Sequence, residues 1–162
     1  MSIAILYATR YGSTRDVAEL LAGRLAKDVR LYDLADRAPV DLSDVSVVVI
    51  GSPVFSGRVP GAVRRFVAGA RELLARRAVV LYMTSLYSGA RAEAQLVDNY
   101  PAWLVAQSRA NHFVGGRIRL AELRRIDSLV LRRVGLVSDD IDTISDSSID
   151  ELISSVEQVS IR

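Results

Sequence analysis

Seven residues near the amino end carry the groups that a phosphate-binding turn needs. The run Ala8-Thr9-Arg10-Tyr11-Gly12-Ser13-Thr14 combines hydroxyl donors with an arginine and a glycine. It lies between an apolar run and a helical pattern, so the free amides of a helix N-terminus would face an incoming anion. We therefore predict a phosphate site at this turn. The alternative is an ordinary strand–helix turn that is capped by Ser13 and Asp16.

Two later turns have similar compositions, with one aromatic residue among small and hydroxyl residues. They are Ser52-Pro53-Val54-Phe55-Ser56-Gly57 and Thr84-Ser85-Leu86-Tyr87-Ser88-Gly89. Small residues let backbone groups approach the polar rim of a planar ligand, and an aromatic ring can cover its face. For each aromatic residue, simple surface packing is the alternative. Together the three turns predict a site for a phosphate that is attached to a flat heterocycle.

Buried strands and helices alternate along the chain and must position these turns. The patterns predict strands over 3–8, 29–33, 46–51, 79–84 and 112–118. They predict helices over 14–27, from Pro60 onward, over 91–109 with a break at Pro101, over 121–134 and over 148–159. This alternation predicts an α/β fold, a doubly wound five-stranded parallel sheet with helices on both faces. The three turns then meet at the carboxyl edge of the sheet, where such folds bind ligands.

Two of these helices have apolar residues that we expect to face the core. The helix that starts at Pro60 is predicted to bury Val63, Phe66, Val67, Leu73 and Leu74. The last helix is predicted to bury Ile149, Leu152, Ile153 and Val156.

With these motifs the chain resembles flavodoxin-type FMN proteins. Thr9, Gly12 and Thr14 match their T-x-T-G-x-T phosphate turn, and residues 51–57 match their G-S-P-x-x-x-G loop. Residues 9–14 also match the T-R-x-G-x-T turn of the quinone-dependent protoporphyrinogen IX dehydrogenases in the same superfamily. The resemblance implies that FMN is the cofactor, with its phosphate at residues 9–14. It also implies that the isoalloxazine ring lies between residues 52–57 and 84–89.

The function implied by this resemblance is that of an FMN-dependent oxidoreductase acting on a porphyrinogen- or quinone-type small molecule. The redox chemistry would belong to the flavin, so we assign no catalytic acid, base or nucleophile. Three alternatives stay open: a flavodoxin-type electron-transfer shuttle with a redox partner protein, an NAD(P)H:quinone reductase, and a relic of the fold that binds no cofactor. Shuttle flavodoxins are typically acidic around the flavin, whereas this chain has a pI of about 9.2.

The dehydrogenases also insert a basic, aromatic-rich segment before the last helix. Residues 116–127 resemble that segment but contain no tyrosine or tryptophan. We predict an extra helical insert over about 118–147 within a single domain of residues 1–162. The stretch from Arg117 to Arg133 has a net charge of +4. Its predicted apolar stripe is Leu123, Ile126, Val130 and Val134, with Arg124, Arg125 and Arg132 pointing elsewhere.

A basic amphipathic helix of this kind has several uses. It can contact an anionic membrane surface, an acidic partner or the carboxylates of a substrate. The alternative is a solvated helix that packs its apolar stripe on the domain. The sequence pattern alone leaves these interpretations open.

Composition excludes several function classes. The chain of 162 residues has no cysteine and a single histidine, His112, so thiol chemistry, disulfides and a histidine-built metal site are not expected. We predict no metal and no nucleic-acid partner, and we leave oligomerisation open. No apolar stretch approaches the roughly 20 residues of a membrane span. We therefore expect a cytoplasmic protein, with peripheral contact at the inner face of the membrane as an option through the Arg117–Arg133 segment.

Overall fold

A parallel sheet organises the molecule. The computed structural model describes residues 2–133, 135 and 139–161. The strands of this sheet stand in the order β2-β1-β3-β4-β5. They are β1 (Ser2–Tyr7), β2 (Val29–Asp33), β3 (Val45–Pro53), β4 (Ala78–Thr84) and β5 (Ala110–Phe113). The strand order reverses beside β1, which brings the ends of β1, β3 and β4 together. The predicted doubly wound five-stranded sheet is confirmed.

Helices cover both faces of the sheet. In chain order they are α1 (Ser13–Arg24), α2 (Gly61–Gly69), α3 (Arg71–Ala75), α4 (Gly89–Asn99), α5 (Ala102–Gln107), α6 (Arg125–Arg133) and α7 (Asp146–Ser160). Residues of α1 and α7 pack on one face, and residues of α2 to α5 pack on the other. The described helices include none that is long and apolar enough to cross a membrane.

The central strands owe their position to unbroken apolar runs. In β3, Val47 and Val49 face α1 and α7, while Val48 and Ile50 face the opposite helices. Successive side chains of a strand point to opposite faces, so a strand that is buried on both faces consists of a nearly continuous apolar run. The long Val and Ile run therefore occupies the middle of the sheet, and the shorter, more polar β2 lies at an edge.

The helical region after Pro60 differs in part from its prediction. It divides at Ala70 into α2 and α3, and Pro60 precedes the first helical residue instead of occupying it. Val63, Val67 and Leu74 are buried as predicted, and Phe66 packs partly buried against the core. Leu73 is exposed because the break at Ala70 changes the direction of the following turn.

Other helix predictions are confirmed. The predicted break at Pro101 separates α4 from α5, since proline has no amide for the helical ladder. In α7, Ile149, Leu152, Ile153 and Val156 are all buried. Helix α1 ends at Arg24, three residues earlier than predicted.

The predicted strand over 112–118 is wrong beyond Phe113. The chain turns at Gly115, whose φ of 83° lies in the left-handed region. A side chain there would collide with the carbonyl of Thr143, so only glycine fits. Arg117–Ile118 then form a separate strand, β6, which pairs antiparallel with β7 (Ile141–Asp142).

The orientation of α6 also differs from its prediction. Its buried residues are Asp127 and Leu131, whereas Ile126 is 76% exposed and Val130 is 41% exposed. Of the predicted stripe, Ile126 and Val130 therefore do not form a buried face on the domain. Leu123 is partly buried, and Val134 lies outside the described residues.

Gly51 of β3 allows the packing between β3 and Tyr82 of β4 to be tested. A Cβ at this position would overlap the ring of Tyr82, which is fully buried. We expect Gly51→Ala to lower the free energy of unfolding in urea by about 1–3 kcal/mol, because the tyrosine must shift within a packed core. Gly23→Ala is the matched control, since the exposed side of α1 offers open space there. An unchanged stability of Gly51→Ala would contradict this packing.

Candidate cofactor site

The turn at residues 8–14 connects the end of β1 to α1. Gly12 has a φ of 92° and directly precedes the helix. Its amide donates to Thr9 Oγ1 at 2.9 Å, and its carbonyl accepts the first helical hydrogen bond from the Asp16 amide, also at 2.9 Å. The amides of Ser13 and Thr14 precede that bond, in the position from which helix N-termini bind anions.

The alternative of a Ser13–Asp16 capping pair is wrong. Ser13 Oγ donates to the carbonyl of Arg117 at 3.1 Å, and Asp16 forms an ion pair with the Arg117 guanidinium at 2.9 Å. Helix α1 has no side-chain cap. Both residues instead connect the turn to β6, which lies directly beside it.

A buried hydrogen-bond chain fixes the rear of this turn. Tyr82 donates its hydroxyl proton to the Thr14 carbonyl at 2.8 Å, and Thr14 Oγ1 lies 2.8 Å from Thr84 Oγ1. Burial raises the pKa of Tyr82 well above its usual value, so its hydroxyl remains a neutral donor. The turn is therefore held by β4 as well as by its own helix.

The turn at residues 52–57 is a tight hairpin. Phe55 and Arg58 exchange backbone hydrogen bonds of 3.0 and 3.1 Å, and Ser56 and Gly57 between them both have positive φ. Asn99 of α4 holds this hairpin by donating to the Gly57 carbonyl at 2.9 Å. This bond holds the hairpin against α4.

The turn at residues 84–89 is braced by α4. Ser85 Oγ donates to Gln95 Oε1 at 2.9 Å and accepts from the Tyr87 amide at 3.1 Å. The guanidinium carbon of Arg91 lies 3.8 Å from the centre of the Tyr87 ring, which is close enough for a cation–π contact. An aromatic ring and a positive charge therefore share this wall.

The three turns enclose a cavity of about 580 Å³. Of the eighteen residues predicted to contact the cofactor, these line it: Thr9, Arg10, Tyr11, Ser13, Thr14, Pro53, Val54, Phe55, Ser56, Gly57, Thr84, Ser85, Leu86 and Tyr87. Its size suits a cofactor or drug-sized ligand.

Four of the predicted residues are not among those that line the cavity. Gly12 supports the first turn through its backbone, and Ser88 and Gly89 lie at the start of α4. Ser52 is fully buried, and its hydroxyl lies 2.7 Å from the Tyr100 hydroxyl. Burial raises the pKa of Tyr100 to about 12, so this pair is a neutral structural contact below the sheet edge.

Several lining residues were missed by sequence reasoning. One group belongs to α4 at helical spacing: Arg91, Ala94, Gln95 and Asp98. A second group comes from the predicted insert and the residues before it: Gly116, Arg117, Ile118, Val130 and Leu131. The first group could have been found, because positions i, i+3, i+4 and i+7 share one helix face. The second depends on how β6 and α6 fold back over the site.

An ion pair connects the phosphate turn to α6. Both carboxylate oxygens of Asp127 lie 2.7 Å from Arg10 Nη2, and Nε of Arg10 lies 3.1 Å from Oδ2. Tyr11 also donates its hydroxyl proton to Asp127, and accepts a hydrogen bond from the Arg124 amide at 3.3 Å. Burial alone would raise the pKa of Asp127, but its bonds to Arg10 and Tyr11 lower it overall.

A small apolar cluster accompanies this ion pair. Ile118 and Leu131 are buried against Phe55, Leu86 and the side chains around them. The Arg10 guanidinium also lies 4.3 Å from the centre of the Phe55 ring. Helix α6 is therefore attached to two of the three turns, and it forms one wall of the cavity.

Comparison with known proteins agrees with this architecture. The rubredoxin:oxygen oxidoreductase of Desulfovibrio gigas superimposes with a TM-score of 0.61 at 14% identity, over 99% of this chain and 35% of that one. This chain thus spans about a third of that protein. A WrbA-like flavodoxin from Agrobacterium tumefaciens superimposes with a TM-score of 0.58 at 12% identity, over 99% and 95% of the two chains.

A third structure has a similar length. A short-chain flavodoxin associated with a non-canonical PDU bacterial microcompartment superimposes with a TM-score of 0.58 at 14% identity, over 99% of this chain and 97% of that one. At such identities the likeness establishes the fold. No curated protein sequence matches the chain significantly.

A doubly wound parallel sheet whose first strand leads through a glycine-containing turn into a helix is the architecture of nucleotide-binding α/β proteins. The sequence model of the family described as flavodoxin domain matches residues 4–142. The chain belongs to this flavodoxin domain family, as the resemblance of its turns indicated.

Asp127 allows the attachment of α6 to be tested. Asp127→Asn removes the charge that Arg10 faces, and a hydrogen bond to a charged group contributes about 1.5–3 kcal/mol. We expect amide exchange in α6 to accelerate by about 10- to 100-fold, as measured by hydrogen exchange with mass spectrometry. Glu122→Gln is the control, because its ion pair with Arg119 is exposed. Equal protection of α6 in both variants would contradict the role of Asp127.

The same attachment should depend on pH in the acid range. The pKa of Asp127 is lower in the folded protein than its ordinary value of about 3.9, so the stabilisation is complete above that value. It is lost as the pH falls through the lowered pKa and the carboxylate takes up a proton. We expect the protection of α6 to be constant from neutral pH to about pH 5 and to fall below about pH 4. In Asp127→Asn this step should be missing.

Proposed function

We propose that the protein is an FMN-dependent oxidoreductase that resembles the quinone-dependent protoporphyrinogen IX dehydrogenases. Membership of the flavodoxin domain family supports FMN as the cofactor. The anion turn at residues 9–14 would hold the phosphate through the amides of Ser13 and Thr14 and the hydroxyl of Thr14. The hairpin at residues 52–57 and the turn at residues 84–89 would flank the ring.

The docked helix α6 is the observation that carries the enzyme proposal. An electron shuttle must bring its flavin edge close to a partner protein. Here Ile118, Val130 and Leu131 wall part of the cavity, and Asp127 holds this wall to Arg10. A walled, largely apolar cavity suits a small flat substrate better than a protein partner.

The residues around the cavity suggest how such a substrate would be recognised. Ile118, Val130 and Leu131 offer apolar surface for a planar ring system beside the flavin ring that residues 52–57 and 84–89 would flank. Arg91 lies on the Tyr87 ring and, in the described part of the chain, forms no ion pair. Its charge can therefore bind a substrate carboxylate. Bound FMN supplies two-electron transfer from the reduced substrate to a quinone.

The decisive experiment is a redox assay of the purified protein. We expect the protein to bind FMN with a change in its visible spectrum, and then to oxidise protoporphyrinogen with a quinone as acceptor. FMN binding without this activity would overturn the substrate assignment. Direct reduction of the flavin by NAD(P)H would favour the quinone reductase instead. Salt-sensitive reduction by a ferredoxin-type reductase, without small-molecule turnover, would favour the shuttle.

Arg91→Gln tests the recognition of the carboxylate. We expect KM for the carboxylated substrate to rise by about 10-fold with a smaller change in kcat, since a charge-assisted hydrogen bond contributes about 1.5–3 kcal/mol. The KM for the uncharged quinone should not change. Arg64→Gln is the matched control, because Arg64 is an exposed residue of α2 that does not line the cavity. A parallel rise of both KM values would show that Arg91 does not select the carboxylate.

A further inference from the structure

The outward face of α6 exposes large aliphatic side chains. Ile126 is 76% exposed and Leu129 is 65% exposed, which are high fractions for residues of this size. Val130, at 41%, continues the apolar surface toward the cavity that it also lines. The inward face of the helix is already occupied by Asp127 and Leu131. The exposed residues therefore have no packing role within the described part of the chain.

Arginines lie among these exposed apolar residues. At 100° per residue, Leu129 lies at the centre of the outward face, with Arg125 and Arg132 on one side and Arg133 on the other. All three are exposed. Asp127, the acidic residue of α6, points inward and is paired with Arg10. The outward face thus combines aliphatic side chains with three arginines, and in this projection Arg133 lies between Leu129 and Ile126.

We propose that this face, the outer surface of α6, binds the headgroup region of an anionic lipid bilayer. Ile126 and Leu129 enter the boundary between headgroups and acyl chains, and the arginines reach lipid phosphates at the same depth. The proposal concerns this surface alone and does not depend on which substrate the cavity accepts.

Charge and size favour a bilayer over other occupants. A stable protein complex buries about 1,200–2,000 Å² in total, which far exceeds what one face of a nine-residue helix can supply. A second copy of the chain would bring the arginines of both helices together, with no acidic group on this face of α6 to pair with them. An anionic bilayer supplies negative charge around an apolar interior.

The position of this surface beside the cavity is a further argument for binding to a bilayer. Val130 lies both on the exposed surface and in the wall of the cavity. A lipid-soluble molecule that leaves the bilayer along α6 would therefore reach the cavity without crossing open water. Attachment of α6 through Asp127 and Arg10 keeps the helix beside this entrance.

Vesicle sedimentation with the purified full chain tests the proposal. We expect binding to vesicles of phosphatidylcholine with phosphatidylglycerol, weaker binding to phosphatidylcholine alone, and weakening by salt. Arg125→Gln with Arg132→Gln should reduce the partition coefficient about 25-fold, at roughly fivefold per arginine. Ile126→Ser with Leu129→Ser should reduce it by more than about 10-fold, since each buried methylene contributes roughly fourfold.

Matched controls separate this surface from general effects. Arg64→Gln with Arg65→Gln removes two exposed arginines from α2, and Val97→Ser removes a 66% exposed valine from α4. Both controls should bind like the original protein, with circular dichroism confirming the fold of every variant. Absence of binding to the anionic vesicles, or equal losses in the controls, would overturn the proposal. So would a dimer in solution that Ile126→Ser with Leu129→Ser converts to monomers, because the face would then join two copies.

Discussion

The bond between Arg10 and Asp127 decides how α6 is placed relative to the rest of the fold. The two residues are 117 positions apart, and their contact brings α6 against the turn that follows β1. A carboxylate that is almost completely buried must find a positive partner, since an unpaired charge inside a protein is strongly destabilising. Arg10 supplies that partner, and Tyr11 supplies a second donor. The orientation of α6, the cavity wall and the exposed outer face all follow from this requirement.

The same requirement changes the role of Arg10. In the sequence, an arginine within a phosphate turn suggests a ligand for the phosphate. In the structure its guanidinium lies on the Phe55 ring and is bound to Asp127, and this ion pair raises its pKa. In the proposed function, phosphate binding would therefore fall mainly to the helix amides and the hydroxyls of the turn, while Arg10 serves as a structural connection to α6.

The sheet could be predicted because each strand and helix is indicated by residues that are close together in the sequence. Apolar runs such as residues 47–50 identify buried strands, and Pro101 marks the helix break through its missing amide. The packing of α6 could not be predicted in this way. Its apolar residues suggested an inward stripe, but Asp127 turns inward instead, because of a partner distant in sequence. The turn of the chain after Phe113 was missed for a related reason. Gly115 packs closely against the carbonyl of Thr143, which lies far away in the sequence.

That close fit has an architectural consequence. Gly116 and Thr143 exchange hydrogen bonds, with the Thr143 amide donating to the Gly116 carbonyl at 2.9 Å and the Gly116 amide donating to Thr143 Oγ1 at 3.0 Å. The segment between them therefore begins and ends at one point of the fold, and its contacts in between are with the turns around the cavity. Such a closed excursion can lengthen, shorten or change its composition with little effect on the strands, because loop-closure entropy varies slowly with length. Changes in that segment can thus reshape one wall of the cavity while the sheet stays constant.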